Sequence, residues 1–260
     1  MKKKKDEENF HIWEGIYKSF KDAPAKGPGF SGHTWNKRSL ENMALILKTA
    51  KEKKIVPEFV IYRENLLPIV TALIPKQNKK VLRIIDFGGN LGKEYISILG
   101  SSNIKKENIE YTVVENKEVC KLGNKLFKND KQIKFLSNLP KAPEQVDIIN
   151  IGSTLQYIEN WQSLFKEFVA FNPSYIMFTD LQASNIPTYV TVQNYYDSKM
   201  PVWYFNISDI ISELKKEGFR LVHKSTFRGS FLGIEQDRPM QNLPKKFRLK
   251  NACNLLFQKN

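Results

Sequence analysis

The sequence has few cysteines and no long hydrophobic run. Cys120 and Cys253 are its two cysteines, and they lack the spacing of a paired motif. No apolar run approaches the roughly 20 residues that a membrane-spanning helix needs. Residues 1–8 read Met-Lys-Lys-Lys-Lys-Asp-Glu-Glu, without the apolar segment of a signal peptide. These absences predict a cytoplasmic protein without a transmembrane segment, whose thiols are reduced and structural.

The sequence also lacks the patterns of a metal site and of a nucleic-acid module. Its histidines, His11, His33 and His223, are far apart, and no His, Cys and carboxylate cluster has metal-ligand spacing. The net charge is +14, but the lysines are spread along the chain without an arginine-rich stripe or an aromatic RNA-binding motif. We therefore expect no metal. An anionic small substrate is favoured over nucleic acid as an explanation of the charge, and a genome composition that favours lysine is the other explanation.

The chain does have enough apolar material for a large core. Hydrophobic residues make up 41% of the 260 residues, which suits one large α/β domain. We predict this domain at 79–260, preceded by an N-terminal extension at 1–78 with a disordered tip. The extension contains an aromatic, glycine-rich segment at 10–35 and two helices, at 38–54 and 57–73. The aromatic segment is expected either to anchor the extension to the core or to close over a site as a lid.

The chain is organised around a glycine-rich turn that follows a short apolar run. The run from Val81 ends in the carboxylate of Asp86, and Gly88-Gly89-Asn90-Leu91-Gly92 leads into a predicted helix. Glycine allows a sharp turn and the close approach of a ligand. The helix that follows directs unpaired N–H groups towards the same place. This pattern predicts the first turn of a nucleotide-type binding fold.

The spacing of the glycines narrows the choice of ligand. A dinucleotide fingerprint would need glycine at Asn90 and at Lys93, and a phosphate loop would need Ser or Thr at Glu94. The remaining pattern, Asp-x-Gly-Gly-x-x-Gly, resembles the first motif of class I S-adenosylmethionine-dependent methyltransferases. That motif usually has glycine at the position of Asn90, and Asn tolerates left-handed backbone geometry better than most residues.

A second strand is predicted from Ile109 to Glu115, where β-branched residues are frequent. In nucleotide-binding α/β folds, a carboxylate at the end of this strand accepts hydrogen bonds from both ribose hydroxyls. The alternative is a carboxylate that merely stabilises the N-terminus of the following helix. We favour ribose binding by Glu115. The other predicted cofactor-binding residues lie at the ends of the same strands: Asp86, Gly88, Gly89, Asn90, Asn116, Asn138, Leu139, Gly152 and Ser153.

The rest of the chain alternates predicted strands and helices, which is typical of a parallel sheet. The 182–206 segment is rich in aromatic residues, and we predict a long loop that carries substrate recognition. Ser208 or Asp209 is the expected cap of the last helix, and Gly218 its stop. The predicted strands are 133–136, 146–158 with its exit, 175–181, 219–226 and 251–258, and the predicted helices are 91–99, 117–128, 161–171 and 208–217.

Several stretches together resemble a little-characterised family of class I methyltransferases that are often encoded among bacterial surface-polysaccharide genes. The resemblance covers the chain from about Phe10 onward. It implies a seven-stranded, mostly parallel sheet with an antiparallel last strand and helices on both faces. It also implies S-adenosylmethionine as methyl donor, S-adenosylhomocysteine as product, and a sugar-linked or similar small acceptor. The stretches are Trp13-x-Gly15-x-Tyr17, Asp86-Phe87-Gly88-Gly89, Val113-Val114-Glu115, Leu155-Gln156-Tyr157, Thr191-Val192-Gln193 and the Trp203 region.

The resemblance does not supply a catalytic residue, so candidates come from position and chemistry. His33 and Asp180 are the candidate bases for a neutral acceptor hydroxyl, and Tyr157 and Gln193 are candidates for positioning the acceptor. The missing obvious base and the basic composition favour an acceptor that carries a phosphate-like group, such as a nucleotide-linked or phosphoramidate group. Two alternatives remain open, a non-catalytic binding protein that keeps the fold and a nucleic-acid methyltransferase.

Overall fold

The structure, a computed structural model, describes residues 10–52, 66–73, 81–101, 104–141, 145–231 and 234–260. The expected disordered tip, most of the helix expected at 57–73 and the domain boundary at 78–79 lie outside these ranges. The strands are β1 (Trp13–Tyr17), β2 (Leu82–Phe87), β3 (Ile109–Val114), β4 (Ile133–Leu136), β5 (Ile148–Gly152), β6 (Tyr175–Leu181), β7 (Ala183–Ser184), β8 (Tyr189–Tyr195), β9 (Ser198–Asn206), β10 (Phe219–Phe227), β11 (Ser230–Phe231), β12 (Ile234–Glu235) and β13 (Ala252–Lys259). The helices are α1 (His33–Lys51), α2 (Leu66–Leu73), α3 (Lys93–Ser101), α4 (Lys117–Leu126), α5 (Trp161–Val169) and α6 (Ile207–Lys216).

Seven strands form the main sheet, in the order β10-β13-β6-β5-β2-β3-β4. The five strands from β6 to β4 are parallel, whereas β13 is antiparallel to both β6 and β10. The strand order reverses at β2, which has β5 on one side and β3 on the other. Ligands of open α/β sheets bind at such a switch point, beyond the carboxyl ends of the strands. The predicted sheet and its antiparallel last strand are confirmed.

Helices cover both faces of this sheet because successive residues of a strand point to opposite faces. Ile84 and Ile148 pack on one face with α1, α2, α3 and α4. Their neighbours Ile85 and Ile149 pack on the other face with α5 and α6. These strands are apolar on both sides, as strands buried on both faces are in parallel sheets. No helix in the described ranges is long and apolar enough to cross a membrane.

A second, four-stranded sheet corrects the prediction of a long loop at 182–206. Its order is β1-β8-β9-β7, and β8 and β9 form an antiparallel hairpin that turns at Tyr196 and Asp197. The aromatic and β-branched residues that suggest a recognition loop are also the residues that favour strands. The N-terminal extension is likewise not only helical, because Trp13 of β1 pairs with Gln193 of β8. The partner of β8 therefore comes from a segment about 180 residues away, which no local pattern shows.

Two helix starts also differ from the prediction. Helix α1 begins at His33 rather than at residue 38, because the last helix-breaking glycine of the aromatic segment is Gly32, which is extended. Helix α6 is capped by Asn206, whose side chain accepts a hydrogen bond from the Ser208 backbone N–H. The predicted caps, Ser208 and Asp209, lie inside the first turn instead. Gly218 ends the helix as expected, with a φ of +84°.

Candidate functional site

A cavity of about 1350 Å³ lies at the carboxyl ends of β2, β3, β5 and β6, and the second sheet and α1 close it. It has two parts, which we name by their walls. The glycine-turn half is lined by Gly88, Asn90, Glu115, Asn116, Ser137, Asn138, Leu139, Gly152, Ser153 and Thr154. The aromatic half is lined by Trp13, Phe30, Trp35, Arg38, Tyr157, Asp180, Gln193, Tyr195, Phe231 and Arg238.

The backbone of the turn after β2 has the geometry that its glycines predict. Gly88 has a φ of +75°, and a Cβ there would lie 2.0 Å from Thr154 Oγ1, so the turn packs directly against the exit of β5. A Cβ on Gly89 would lie 2.1 Å from Asp86 Oδ2. Asn90 is left-handed, with a φ of +48°, as expected of an Asn in a glycine position. Gly88 and Asn90 line the cavity, whereas Gly89, which was also predicted to bind the cofactor, packs on Asp86 and does not line it.

Asp86 lies beneath this turn and does not line the cavity. Its side chain is buried, Tyr111 Oη donates to Oδ2 at 2.7 Å, and Asn150 Nδ2 donates to Oδ1 at 2.7 Å. Tyr111 belongs to β3 and Asn150 to β5, the two neighbours of β2. The carboxylate thus connects three central strands directly below Gly89. Asp86 therefore supports the turn from below, whereas the sequence predicted that it binds the cofactor.

Glu115 lies at the end of β3, beside the turn. Asn116 donates to Oε2 from its backbone N–H at 2.8 Å and from Nδ2 at 3.1 Å, and the Asn90 backbone N–H also reaches the carboxylate. Burial raises the pKa of Glu115 above its usual value, and these hydrogen bonds oppose the rise. Asn116 also caps α4, where its side chain accepts from the N–H groups of Glu118 and Val119. Glu115 is thus held at the mouth of the turn, where the sequence predicts a ribose carboxylate.

Asn90 connects the turn to the N-terminal extension. Its Nδ2 donates to Ser39 Oγ of α1 at 3.0 Å, and its Oδ1 is buried without a hydrogen-bond partner among the described residues. The same helix presents Trp35 and Arg38 to the aromatic half of the cavity. The side chain that departs from the usual glycine motif is therefore the one that attaches α1 to the turn.

We expect Asn90→Ala to lower the free energy of unfolding by about 1–2 kcal/mol, because it loses the hydrogen bond to Ser39 and places Ala in a left-handed conformation. Ser39→Ala loses the hydrogen bond alone and should cost about half as much. Asn90→Gly loses the bond but removes the strain, so it should resemble Ser39→Ala. Denaturant unfolding of the three variants tests this, and equal stability of Asn90→Ala and wild type would contradict it.

Ser153 and Asp180 form a strained pair at the ends of β5 and β6. Both have positive φ, of +50°, and Ser153 Oγ donates to Asp180 Oδ2 at 2.7 Å. Arg238 Nη2 donates to Asp180 Oδ1 at 3.1 Å, and the resulting ion pair is buried. Strained backbone of this kind clusters at binding and catalytic sites. Arg238 was missed at the sequence level, because it lies in an irregular segment between β12 and β13 without any motif.

Tyr157 and Gln193, both predicted to position an acceptor, contact each other in the aromatic half. Tyr157 Oη donates to Gln193 Oε1 at 2.7 Å. Burial is the main cause that raises the pKa of Tyr157, with a smaller contribution from the charge of Asp180. The phenol therefore stays protonated at neutral pH and acts as a hydrogen-bond donor. It also packs edge-on against the ring of Phe30, with ring centroids 4.7 Å apart.

The aromatic segment of the extension and the β8–β9 hairpin meet at one wall of the cavity. The rings of Phe30 and Trp35 are 5.3 Å apart, and each lies within 6 Å of Tyr195 at the end of β8. Arg38 donates to the Tyr196 hydroxyl beside this wall. The segment predicted as an anchor or a lid and the segment predicted to carry substrate recognition are therefore neighbours, although about 160 residues separate them.

Of the predicted cofactor residues, Gly88, Asn90, Glu115, Asn116, Asn138, Leu139, Gly152 and Ser153 line the cavity. Of the four candidate catalytic residues, the structure brings Tyr157, Asp180 and Gln193 together but not His33. His33 is exposed at the start of α1, and none of the described histidines lines this cavity. Within the described ranges, no group of His, Cys, Asp and Glu side chains is arranged to hold a metal ion.

Comparison of the whole chain with known proteins gives matches in structure. No family model and no curated protein matches the sequence. A protein of Listeria monocytogenes assigned as an S-adenosylmethionine-dependent methyltransferase has a TM-score of 0.50 at 12% identity, over 74% of this chain and 96% of its own. The S-adenosylmethionine-dependent methyltransferase of Methanosarcina mazei has a TM-score of 0.50 at 11% identity, over 74% and 96% of the two chains.

A third match is the complex between the Haloferax volcanii Trm112 methyltransferase activator and its methyltransferase. The matching chain has a TM-score of 0.51 at 10% identity and covers 87% of this chain and 94% of its own. At such identities the likeness concerns the fold. The strand order, the antiparallel β13 and the helices on both faces agree with it. The chain therefore has the fold of the class I S-adenosylmethionine-dependent methyltransferases.

Proposed function

We propose that the protein is an S-adenosylmethionine-dependent methyltransferase that acts on a small acceptor. The observation that carries the proposal is one continuous cavity that joins the bare glycine turn and Glu115 to a separate aromatic half. Its volume, about 1350 Å³, exceeds the roughly 300–1,000 Å³ of a typical single-ligand pocket, so a cofactor and an acceptor fit side by side.

The residues of the glycine-turn half suit this cofactor. A carboxylate beside a left-handed turn matches a ribose with two adjacent hydroxyls, and Glu115 has that position. Asn138 and Leu139, at the end of β4, are the proposed contacts of the adenine. Gly152 and Ser153 lie at the end of β5, where Ser153 donates to Asp180 of the aromatic half. A dinucleotide is a poorer match, because Asn90 stands where its fingerprint requires glycine.

The cofactor supplies an activated methyl group, so the chain's own contribution is orientation. Holding the acceptor atom in line and at near-attack distance contributes about 7–11 kcal/mol in well-oriented reactions. Tyr157 and Gln193 are the proposed positioning residues, and the rings of Phe30 and Trp35 would pack on the acceptor. Closure of the aromatic segment at 10–35 as a lid would exclude water from the reacting atoms.

We propose that the acceptor atom is already nucleophilic when the acceptor binds. An anionic oxygen has this property. Asp180 is the candidate base that faces the cavity. Its two oxygens already accept hydrogen bonds from Ser153 and Arg238, so it is less available to take a proton from the acceptor. The net charge of +14 and the resemblance to surface-polysaccharide methyltransferases point to the same acceptor class. We therefore propose a phosphorylated, nucleotide-linked or phosphoramidate group on a sugar-linked molecule.

Two experiments on the purified protein test the proposal. Calorimetric titration with S-adenosylmethionine and S-adenosylhomocysteine should give micromolar dissociation constants, and the absence of binding by both would overturn the assignment of the cofactor. Methyl transfer is then measured against neutral sugars, phosphorylated sugars, phosphoramidates and RNA. Methylation confined to neutral sugars would refute the anionic acceptor. Binding of the cofactor without transfer to any acceptor would favour a non-catalytic binding protein.

The raised pKa of Glu115 predicts how pH affects binding. The ionised carboxylate is the form that accepts from the ribose hydroxyls, so the ligand favours the ionised form and lowers the pKa. Affinity for S-adenosylhomocysteine should be constant above the raised pKa of Glu115 and fall as the pH drops through it, with a limiting slope of about tenfold per pH unit. Calorimetry across this range measures the slope. Glu115→Gln, which has no titrating group at this position, should show a flat profile.

A further inference from the structure

Arg238 is a buried cation on the wall of the aromatic half that no motif of the sequence indicates. Its exposure is 7%, and it lines the cavity next to Asp180. The one side-chain hydrogen bond that it makes within the described ranges runs from Nη2 to Asp180 Oδ1 at 3.1 Å. A buried guanidinium is unfavourable unless its donors find acceptors. The ion pair compensates the charge but uses one of five N–H donors.

One further donor of Arg238, its Nε, is not satisfied by its neighbours. Nε is buried and has no hydrogen-bond partner in the described part of the chain. The rings of Trp13 and Phe231 lie 5.2 and 5.0 Å from Cζ and attract the charge, but they leave the edge of the guanidinium without an acceptor. The Tyr204 hydroxyl lies beside Arg238. Burial raises the pKa of Tyr204, and the positive charge of Arg238 opposes this rise. The hydroxyl nevertheless has no hydrogen-bond partner within the described ranges.

The surroundings of Asp180 leave Arg238 able to bind a second anion. Ser153 Oγ donates to one oxygen of Asp180, and Arg238 donates to the other, so hydrogen bonds satisfy both oxygens of this carboxylate. Asp180 holds the guanidinium from one side. The rings of Trp13 and Phe231 fix its position from another side. A planar, fixed guanidinium that lines a cavity and has a donor without an acceptor is suited to bidentate recognition of a carboxylate or phosphate.

We propose that Arg238 is the binding residue for an anionic oxygen group, a carboxylate or a phosphate, on the molecule that occupies the aromatic half. The inference rests on the proposed function only in naming that molecule the acceptor. Asp180 then acts as a positioning residue, because it orients the guanidinium towards the cavity. The alternative is that Arg238 serves only to neutralise Asp180, and in that case the cavity would have no preference for anions.

The test is a calorimetric titration of the full-length protein with inorganic phosphate and, separately, with malonate, at constant ionic strength. The wild type should bind at least one of the two saturably, and the stronger of them identifies the phosphate or the carboxylate as the preferred group. Arg238→Gln should weaken this binding at least tenfold, since a charge-assisted hydrogen bond is lost. Arg238→Lys keeps the charge but loses the planar fork, so its affinity should fall by an intermediate amount.

Two controls separate anion recognition from general effects. Lys250→Gln removes a charge from the same segment, but Lys250 is exposed and paired with Asp237, so anion affinity should not change. The double variant Asp180→Asn/Arg238→Gln removes both buried charges, so it folds without an unpaired carboxylate and should still lack the anion site. Equal affinity of wild type and Arg238→Gln, or no saturable binding by the wild type, would overturn the proposal.

The same samples are titrated with S-adenosylhomocysteine. We expect wild type and Arg238→Gln to bind it equally, because Arg238 lies outside the glycine-turn half of the cavity. Failure of all proteins to bind this ligand would refute the proposed cofactor but would not affect the anion result. Loss of anion binding in the variant with intact cofactor binding supports Arg238 specifically. The two proposals can therefore fail independently.

Discussion

Glu115→Ala is expected to weaken the binding of S-adenosylhomocysteine by about a hundredfold, since hydrogen bonds to a charged group contribute about 1.5–3 kcal/mol each. The fold should be unaffected. Burial raises the pKa of Glu115, which means that the folded protein disfavours the ionised form, and this offsets part of the stability lost with the hydrogen bonds from Asn116. Calorimetric titration and thermal unfolding of the same preparation measure the two effects separately.

Two variants sharpen this experiment. Glu115→Gln keeps the size and one acceptor oxygen, so the expected loss of affinity is smaller, about tenfold. Glu118→Gln removes a carboxylate in the first turn of α4, but Glu118 is exposed and paired with Lys121, so affinity should not change. If Glu115→Ala binds the ligand as tightly as the wild type, the carboxylate serves only the helix N-terminus, and the assignment to the ribose is wrong.

Gly88→Ala is expected to lower the free energy of unfolding by about 2–4 kcal/mol and to abolish cofactor binding. A left-handed conformation costs an L-residue about 1–2 kcal/mol, and the new methyl group would overlap Thr154, at 2.0 Å from Oγ1 and 2.4 Å from Cγ2. Relief of this overlap moves the turn away from β5, and the cavity loses the backbone that faces the ligand. Denaturant unfolding and titration with S-adenosylhomocysteine measure both consequences.

Gly100→Ala is the matched control for this substitution. Gly100 lies in α3 with nothing within 4 Å of the position of a Cβ, so alanine there should stabilise the protein by about 0.5–1 kcal/mol. Thr154→Ala removes the two closest atoms, so the double variant Gly88→Ala/Thr154→Ala should recover part of the stability. Unchanged stability of Gly88→Ala would show that the turn is not closely packed against β5.

The parallel part of the sheet was predictable because its signals are local. Val81 to Asp86 and Ile109 to Glu115 are β-branched runs bounded by turn residues, and such runs identify buried strands without knowledge of their partners. The left-handed position of Asn90 was predictable for the same reason, since it follows from the spacing of the glycines around it. The position of Glu115 was also predictable from local sequence, because the end of a strand fixes where its last side chain lies.

The second sheet and the arrangement of the residues that line the aromatic half were not predictable from local signals. Pairing of β1 with β8 joins segments about 180 residues apart, and neither strand carries a signal for the other. His33 shows that local sequence can also predict a site residue that the tertiary structure places elsewhere. Its chemistry made it a candidate base, but the helix that begins there turns its side chain to the solvent, outside the cavity.

The sequence by itself determined the central parallel strands, the glycine turn with its carboxylate neighbour, and the class of fold, because strand formation and turn geometry depend on adjacent residues. Only the tertiary structure placed Arg238 against Asp180 and brought Phe30 and Trp35 to the wall that Tyr195 forms. Burial and ion pairing act between residues that are distant in the chain. The aromatic half of the cavity, which we propose takes the acceptor, is therefore a property of packing, whereas the glycine-turn half is largely a property of local sequence.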